Sequence, residues 1–265
     1  MCGDLCYKSS MRQNLIFAIT CLIGLSMLLA AGNAQEPEAT DHPATNPSAA
    51  PLDPSFVPVP DAPNLPRVLI IGDSISMGYT IPVRHLLEGK ANVHRPPVNC
   101  GDTARGLKNL TKWLDGGNWA VIHFNFGLHD LKYLDAQGKY VDPSRGKQVA
   151  PPQKYAANLE ILVARLKKTG AKLIWASTTP VPAGTLGRVQ GDEVPFNQAA
   201  EKVMKENGIP IDDLYSVAES DLAEYQRPKN VHFTAKGYAA LAASVDRSIE
   251  SALQSATPAT QPSGR

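Results

Sequence analysis

Short apolar runs alternate with helical stretches along the middle of this chain, and that alternation constrains its fold more than any other feature. Arg67-Val-Leu-Ile-Ile71 is broken by Gly72-Asp73, Trp119 to Asn125 and Lys172 to Ser177 repeat the pattern, and Ile209 to Asp212 is a shorter version. Asn92-Val-His94 is a weaker candidate between the first two. Between the runs, Tyr155 to Lys168 carries Leu159, Leu162, Val163 and Leu166 at helical spacing and closes on Gly170. Val194 to Glu206 ends in the same way at Asn207-Gly208. Ala235 to Leu253 opens after Thr234, an N-cap residue, with Tyr238, Leu241 and Val245 on its inward face. Strands that are apolar throughout are buried on both faces, so the pattern predicts an α/β domain with a parallel sheet between layers of helix. Chemistry in such sheets gathers beyond the carboxyl ends of the strands.

The alternation spans residues 67–252, and the flanking sequence reads differently. Lys8 and Arg12 precede an apolar run from Leu15 to Ala31 that ends in Gly32-Asn33-Ala34, the layout of a secretory signal peptide over residues 1–34. Met11 serves equally well as the start of such a signal, and an uncleaved membrane anchor is the alternative. Residues 35–66 hold nine prolines and five acidic residues but no Lys or Arg, the composition of an extended, disordered spacer. The Ser/Thr/Pro/Gln-rich end, 253–265, is expected to be a disordered tail. Cleavage after Ala34 would remove Cys2, Cys6 and Cys21 and leave Cys100 alone, so the expected secreted or periplasmic protein has no internal disulfide. A net charge of +1 and 6% aromatic residues exclude the basic stripe and stacking platforms of a nucleic-acid-binding domain. No cysteine spacing marks a zinc site, and neither phosphate-binding glycine motif occurs.

The first apolar run ends in Gly72-Asp73-Ser74, and a helix follows. A serine at that turn exposes its hydroxyl and carries its N–H at a helix N-terminus, both useful to a nucleophile whose attack creates an oxyanion. The alternative is that Ser74 only caps the helix. The G-x-S-x-G elbow is absent, since Ser76 replaces its second glycine. Of six histidines, His42 lies in the spacer, while His85, His94 and His123 fall inside helix or strand patterns as structural residues. His232 stands apart, in Lys229-Asn230-Val231-His232-Phe233-Thr234, the loop before the last helix, where a ring can point over the strand ends.

Four blocks in register make residues 67–252 resemble the SGNH/GDSL hydrolase family of esterases and lipases. Gly72-Asp73-Ser74 matches the family's nucleophile block, and Asn99-Cys100-Gly101 the block whose glycine N–H joins the oxyanion hole. Gly127-Leu128-His129-Asp130 stands where the family has Gly-x-Asn-Asp, so His129 takes the oxyanion asparagine's place; an imidazole N–H can donate there. The final Asp-x-x-His block reads Lys229-Asn230-Val231-His232. The resemblance implies a three-layer α/β/α sandwich of flavodoxin-like type. It also implies acyl-ester hydrolysis by Ser74 and His232 with Gly101 and His129 at the oxyanion, and no cofactor or metal.

Lys229 departs most from the family, because it stands where a carboxylate orients the histidine. Losing that carboxylate's function costs roughly 10⁴ in kcat in the serine-protease template. Three explanations remain open. Asn230 or a backbone carbonyl holds the ring, or Asp212, Asp213 or Asp221 fills the place, or the enzyme is impaired. On the substrate side, Thr178 to Thr185, stiffened by Pro180 and Pro182, is expected to form one rim. Leu131, Tyr133 and the insertion Gly138–Val149 are expected to form the opposite wall. No long apolar lid is evident. The expected protein is therefore an esterase for short acyl groups on small molecules or polysaccharides rather than a lipase at oil interfaces, with no stable membrane partner. A non-catalytic glycan- or wall-polymer-binding protein on the same fold and an acyltransferase are the alternatives.

Overall fold

The computed structural model of the protein describes residues 52–255. The expected signal segment, the spacer up to residue 51 and the end of the tail lie outside the described residues. Among the described residues no helix is long and apolar enough to cross a membrane. In chain order the first elements are β1 (Arg67–Ile71), α1 (Ser74–Leu86), β2 (Asn92–His94), α2 (Thr103–Leu114) and β3 (Val121–Phe124). A small antiparallel ribbon of β4 (Tyr133–Leu134) and β5 (Lys147–Gln148) precedes α3 (Pro152–Lys167) and β6 (Lys172–Ala176). The chain then forms α4 (Glu193–Asn207), β7 (Ile211–Asp212), α5 (Leu214–Glu219), α6 (Leu222–Tyr225) and α7 (Ala235–Gln254). Helix α2 is the one long helix that the sequence reading did not place.

The main sheet runs β2-β1-β3-β6-β7 and every pairing in it is parallel. Its five strands therefore take the flavodoxin-like order 2-1-3-4-5. From β1 the chain steps outward to β2, then crosses back over β1 to β3 and continues in that direction. Right-handed crossovers put α1 on one face and α2, α3 and α4 on the other. The packing agrees: α1 lies against α7, and α2, α3 and α4 lie side by side. A Cβ on Gly78 would stand 2.1 Å from the Tyr238 ring, so the missing side chain is what lets α1 and α7 approach. Val68, Ile70 and Ile71 of β1, Ile122 and Phe124 of β3, and Ile174 and Trp175 of β6 are buried, as strands covered on both faces must be. The point where strand order reverses lies between β1 and β3, and the carboxyl end of β1 is where Gly72-Asp73-Ser74 sits.

The spacer expected over 35–66 gives way at residue 52 to a segment that packs on the domain. Asp53 caps a 3-10 turn at Pro54–Phe56, and the Phe56 ring lies 5.4 Å from the Arg95 guanidinium. Ala62 N–H donates to Asn92 Oδ1 at 2.9 Å, while Asn92 Nδ2 donates to the carbonyls of Ala62 and Leu65 at 3.0 and 3.2 Å. Proline misleads here because it keeps a segment extended with few N–H groups to satisfy. That serves a strap laid beside an edge strand as well as it serves a solvated linker.

One polar pair lies deep in the core. His123 Nε2 on β3 is 3.0 Å from Asp212 Oδ2 on β7, and Asp212 Oδ1 accepts a hydrogen bond from Ser244 of α7 at 2.7 Å. His123 is fully buried and Asp212 is 3% exposed, so the pair fastens α7 to the sheet.

Candidate active site

The turn that carries Ser74 is built by its neighbours. Asp73 Oδ1 accepts from the Ile75 N–H at 2.9 Å, so Asp73 caps α1 and Ser74 becomes its first residue. The capping alternative for Ser74 thereby falls, and its hydroxyl points elsewhere. Arg95, 8% exposed, holds the turn from below, donating to Ser76 Oγ at 3.1 Å, Thr80 Oγ1 at 3.2 Å, Gly72 O at 3.3 Å and Val98 O at 3.2 Å. Nothing in the motif marked Arg95; its only signal was an arginine following a predicted strand. Ser74 sits where the partial positive charge of the α1 N-terminus favours a developing negative charge.

His232 reaches that hydroxyl from a small hairpin. Gln226 and Phe233 form an antiparallel bridge, and Arg227 N–H donates to the His232 carbonyl at 3.0 Å. Asn230 N–H donates to the Arg227 carbonyl at 3.3 Å, closing a turn with Pro228 second and Lys229 third at φ +54°. Gln226, 4% exposed, ties the hairpin down by donating to the Pro180 and Val231 carbonyls at 2.7 and 3.1 Å. The result brings together residues 158 positions apart: His232 Nε2 lies 2.8 Å from Ser74 Oγ.

The other ring nitrogen answers what orients His232. Asn230 Oδ1 lies 2.7 Å from His232 Nδ1 and also accepts the His232 backbone N–H at 3.0 Å. An atom that accepts from a backbone N–H is the amide oxygen, so Nδ1 carries the proton and Nε2 presents its lone pair to Ser74. The three aspartates considered are engaged elsewhere. Asp212 serves His123 and Ser244, Asp213 accepts from Ser177 and Ser216 at the start of α5, and Asp221 pairs with Lys236 at 3.2 Å. Lys229 is exposed and its side chain lies against Gly184, where its Cγ would be 3.2 Å from an added Cβ. Burial lowers the His232 pKa; Asp73 opposes that shift and Arg227 and Arg188 add to it, which keeps the ring a neutral base.

On the oxyanion side the structure is mixed. His129 is half-buried, and burial, aided by Lys132 and Arg188 and opposed by Asp73, lowers its pKa. Lys132 Nζ stands 3.3 Å from His129 Nδ1, and an ammonium can only donate, so the proton of the neutral ring is on Nε2 and available as a donor. Gly101 takes φ +69°, a conformation glycine adopts without strain, but its N–H is turned onto Asn99 Oδ1 at 3.0 Å. No hydrogen bond links Gly101 to Ser74 or His232. Asp130 is fully buried and accepts from the Thr103 N–H and hydroxyl at the first turn of α2; burial pushes its carboxyl up to about 7. No group of three or more His, Cys, Asp or Glu among the described residues is arranged to hold a metal ion.

The expected walls need adjustment. Thr178 to Val181 are buried, with Thr178 N–H and carbonyl both bonded to the Asn197 side chain of α4, so only Pro182 to Gly184 reach the surface as a rim. Leu131, expected on the other wall, is fully buried; β5 of the insertion pairs with β4 just before it, and Tyr133 N–H donates to the Gly187 carbonyl at 2.8 Å. Arg188 Nε donates to the Leu128 carbonyl at 3.0 Å, beside His129. Sequence reading overlooked Arg188, which lies in no motif.

A parallel α/β/α sandwich with these four blocks at the switch point of its sheet defines an SGNH-type hydrolase fold. The family model for GDSL-like lipases and acylhydrolases matches residues 70–240, and the chain belongs to that family of carboxylic-ester hydrolases. No curated protein sequence is a match. Among solved structures, an acetyl xylan esterase superposes with TM-score 0.57 at 15% identity, covering 69% of this chain and 99% of that one. A lipase/acylhydrolase from Enterococcus faecalis gives TM-score 0.58 at 20% identity, covering 71% of this chain and 96% of its own. A catalytic mutant of an acetylxylan esterase from Geobacillus stearothermophilus gives 0.58 at 15%, covering 69% and 94%. At such identities these three establish the fold.

Proposed function

We propose that the protein is a secreted serine esterase that removes short acyl groups, acetyl among them, from small-molecule or polysaccharide esters. One observation carries the reading: a single imidazole with its base nitrogen 2.8 Å from Ser74 Oγ and its other nitrogen 2.7 Å from a side-chain acceptor. Nε2 of His232 takes the hydroxyl proton as Oγ attacks the carbonyl carbon. The oxyanion meets the Ser74 N–H, the Nε2–H of His129 and the Gly101 N–H once that donor turns from Asn99. The imidazolium then returns its proton to the leaving alcohol, and the acyl group stays on Oγ. Water, deprotonated by the same ring, releases the acid and restores the serine. Asn230 keeps the tautomer but adds no negative charge to steady the imidazolium, so turnover is expected below that of an enzyme with a carboxylate there.

The test is hydrolysis of a chromogenic acetate ester. Ser74→Ala and His232→Ala are each expected to lower kcat by about 10⁴-fold or more, and a fluorophosphonate is expected to label Ser74. Turnover unchanged in Ser74→Ala would end the esterase reading. A glycan-binding protein on the same fold is favoured by one feature, the Gly101 N–H occupied by Asn99. Retention of acetylated polysaccharide without labelling by the fluorophosphonate would select it.

A further inference from the structure

Cations lie beside three of the four blocks, one at Gly101, two at Leu128-His129 and one within Lys229 to His232. The Cδ of Arg105 is 2.9 Å from where a Cβ on Gly101 would stand, so its stem lies across that glycine. Lys132 Nζ stands 3.3 Å from His129, and Arg188 is hydrogen-bonded at 3.0 Å to Leu128, the residue before it. Both reach over the exposed ring of Tyr140, at 5.2 and 5.5 Å from its centroid. Lys229 lies against Gly184, next in sequence to Asn230. All four are partly or fully exposed.

Among the described residues none of the four forms an ion pair: every pair with N···O within 4.0 Å involves other groups. The neighbouring acids are not paired with them. Asp73 and Asp130 are 1% and 0% exposed and serve backbone N–H groups, and Asp102 caps α2 by accepting the Arg105 N–H at 2.8 Å. General basicity does not account for this, because 26 Lys and Arg against 25 Asp and Glu leave the chain nearly neutral. Like charges gathered at one mouth repel, and they lower the cost of bringing an anion there. At position 229 a cation also stands where the family has a carboxylate, which would repel an anion.

Resting on the esterase reading and sharpening it, we infer that the substrate is an ester of an anionic molecule, with a carboxylate or a group of like charge beside the acyl group. Such an anion would sit among Arg188, Lys132 and Lys229, within reach of the scissile bond at Ser74. The experiment compares acetate release from an acetylated methyl glucuronoside and from the methyl glucoside acetylated at the same hydroxyl. These two differ only in carboxylate against hydroxymethyl.

The glucuronoside is expected to have a kcat/KM about tenfold higher or more at ~0.01 M salt, and the ratio is expected to approach one at ~1 M, where the Debye length is about 3 Å. Arg188→Gln with Lys229→Gln is expected to cut the low-salt ratio severalfold. Equal kcat/KM at low salt, or a ratio indifferent to both substitutions, overturns the inference. Calorimetry with Ser74→Ala separates it from the esterase reading. Tighter binding of a glucuronate oligomer than of a neutral xylo-oligosaccharide supports the anionic substrate even if the wild type hydrolyses neither ester, and equal affinity overturns it whatever the turnover.

Discussion

His123 and His232 are both held through polar side chains, yet only His232 also faces a serine hydroxyl. His123 has the aspartate: Asp212 lies 3.0 Å away, and Ser244 satisfies the other carboxylate oxygen. That pair is sealed between the sheet and α7, and His123 Nδ1 is buried without a partner. His232 has only a carboxamide behind it, but it is half-buried at the carboxyl end of the sheet with a hydroxyl 2.8 Å in front. Place outweighs residue type. A carboxylate–imidazole pair inside a closed core organises packing, whereas a weaker arrangement at an open switch point lies where ligands of such sheets bind.

The comparison can be broken from the buried side first. Asp212→Ala leaves His123 and Ser244 without their shared acceptor and is expected to cost about 3–5 kcal/mol, read as a lower denaturation midpoint. Turnover per folded molecule should stay within a few-fold of wild type. A folded variant that has lost turnover would mean that Asp212 serves the active site after all. Asn230→Ala tests the exposed side, with an expected fall in kcat on the order of 10²-fold.

Asn230→Asp sharpens the same point through pH. Wild-type kcat/KM should lose activity on the acid side only below the ordinary histidine range of about 6.5, because burial lowers the His232 pKa. A carboxylate at 230 favours the imidazolium, so the acid limb should move to higher pH. Lys229→Asp should move it less, since residue 229 projects from a left-handed turn toward Gly184 and makes no contact with the ring. An acid limb that stays put in Asn230→Asp would remove residue 230 from its orienting role.

A further pH effect is expected at Asp130. Its carboxyl is raised from 3.8 to about 7 by burial. Between those values the folded state binds more protons than the unfolded one. The contribution to stability is therefore complete below the lower value and lost as pH rises through about 7. Asp130→Asn should remove that part of the slope when denaturation midpoints are measured from about pH 4 to pH 8. Identical slopes for the two proteins would mean that Asp130 does not titrate in this window.

Much of this was legible before any fold was seen. The apolar runs of β1, β3 and β6 are local signals of burial on both faces, and Thr234, which accepts from the Gly237 N–H at 3.1 Å, is a local signal of a helix start. Ser74 and His232 could be nominated because each stands at the edge of an element in a recognisable block. Helix α2 escaped because its buried positions, Thr103, Gly106, Leu110 and Trp113, include small and polar residues that do not read as an apolar stripe. The strap from residue 52 escaped because proline content looks alike in a solvated linker and in a chain pinned by Asn92.

By itself the amino-acid order determined the succession of strands and helices, the serine closing the first strand and the histidine opening onto the last helix. Those features depend on side-chain periodicity and on backbone preferences that act within a few residues. Only the tertiary structure decided that Asn230 rather than any aspartate stands behind the ring, that Arg95 steadies the serine's turn, and that Asp212 belongs to the core. Each of these is a choice among chemically similar partners far apart in sequence, and it is made by which side chains the packed sheet and helices bring within hydrogen-bonding distance.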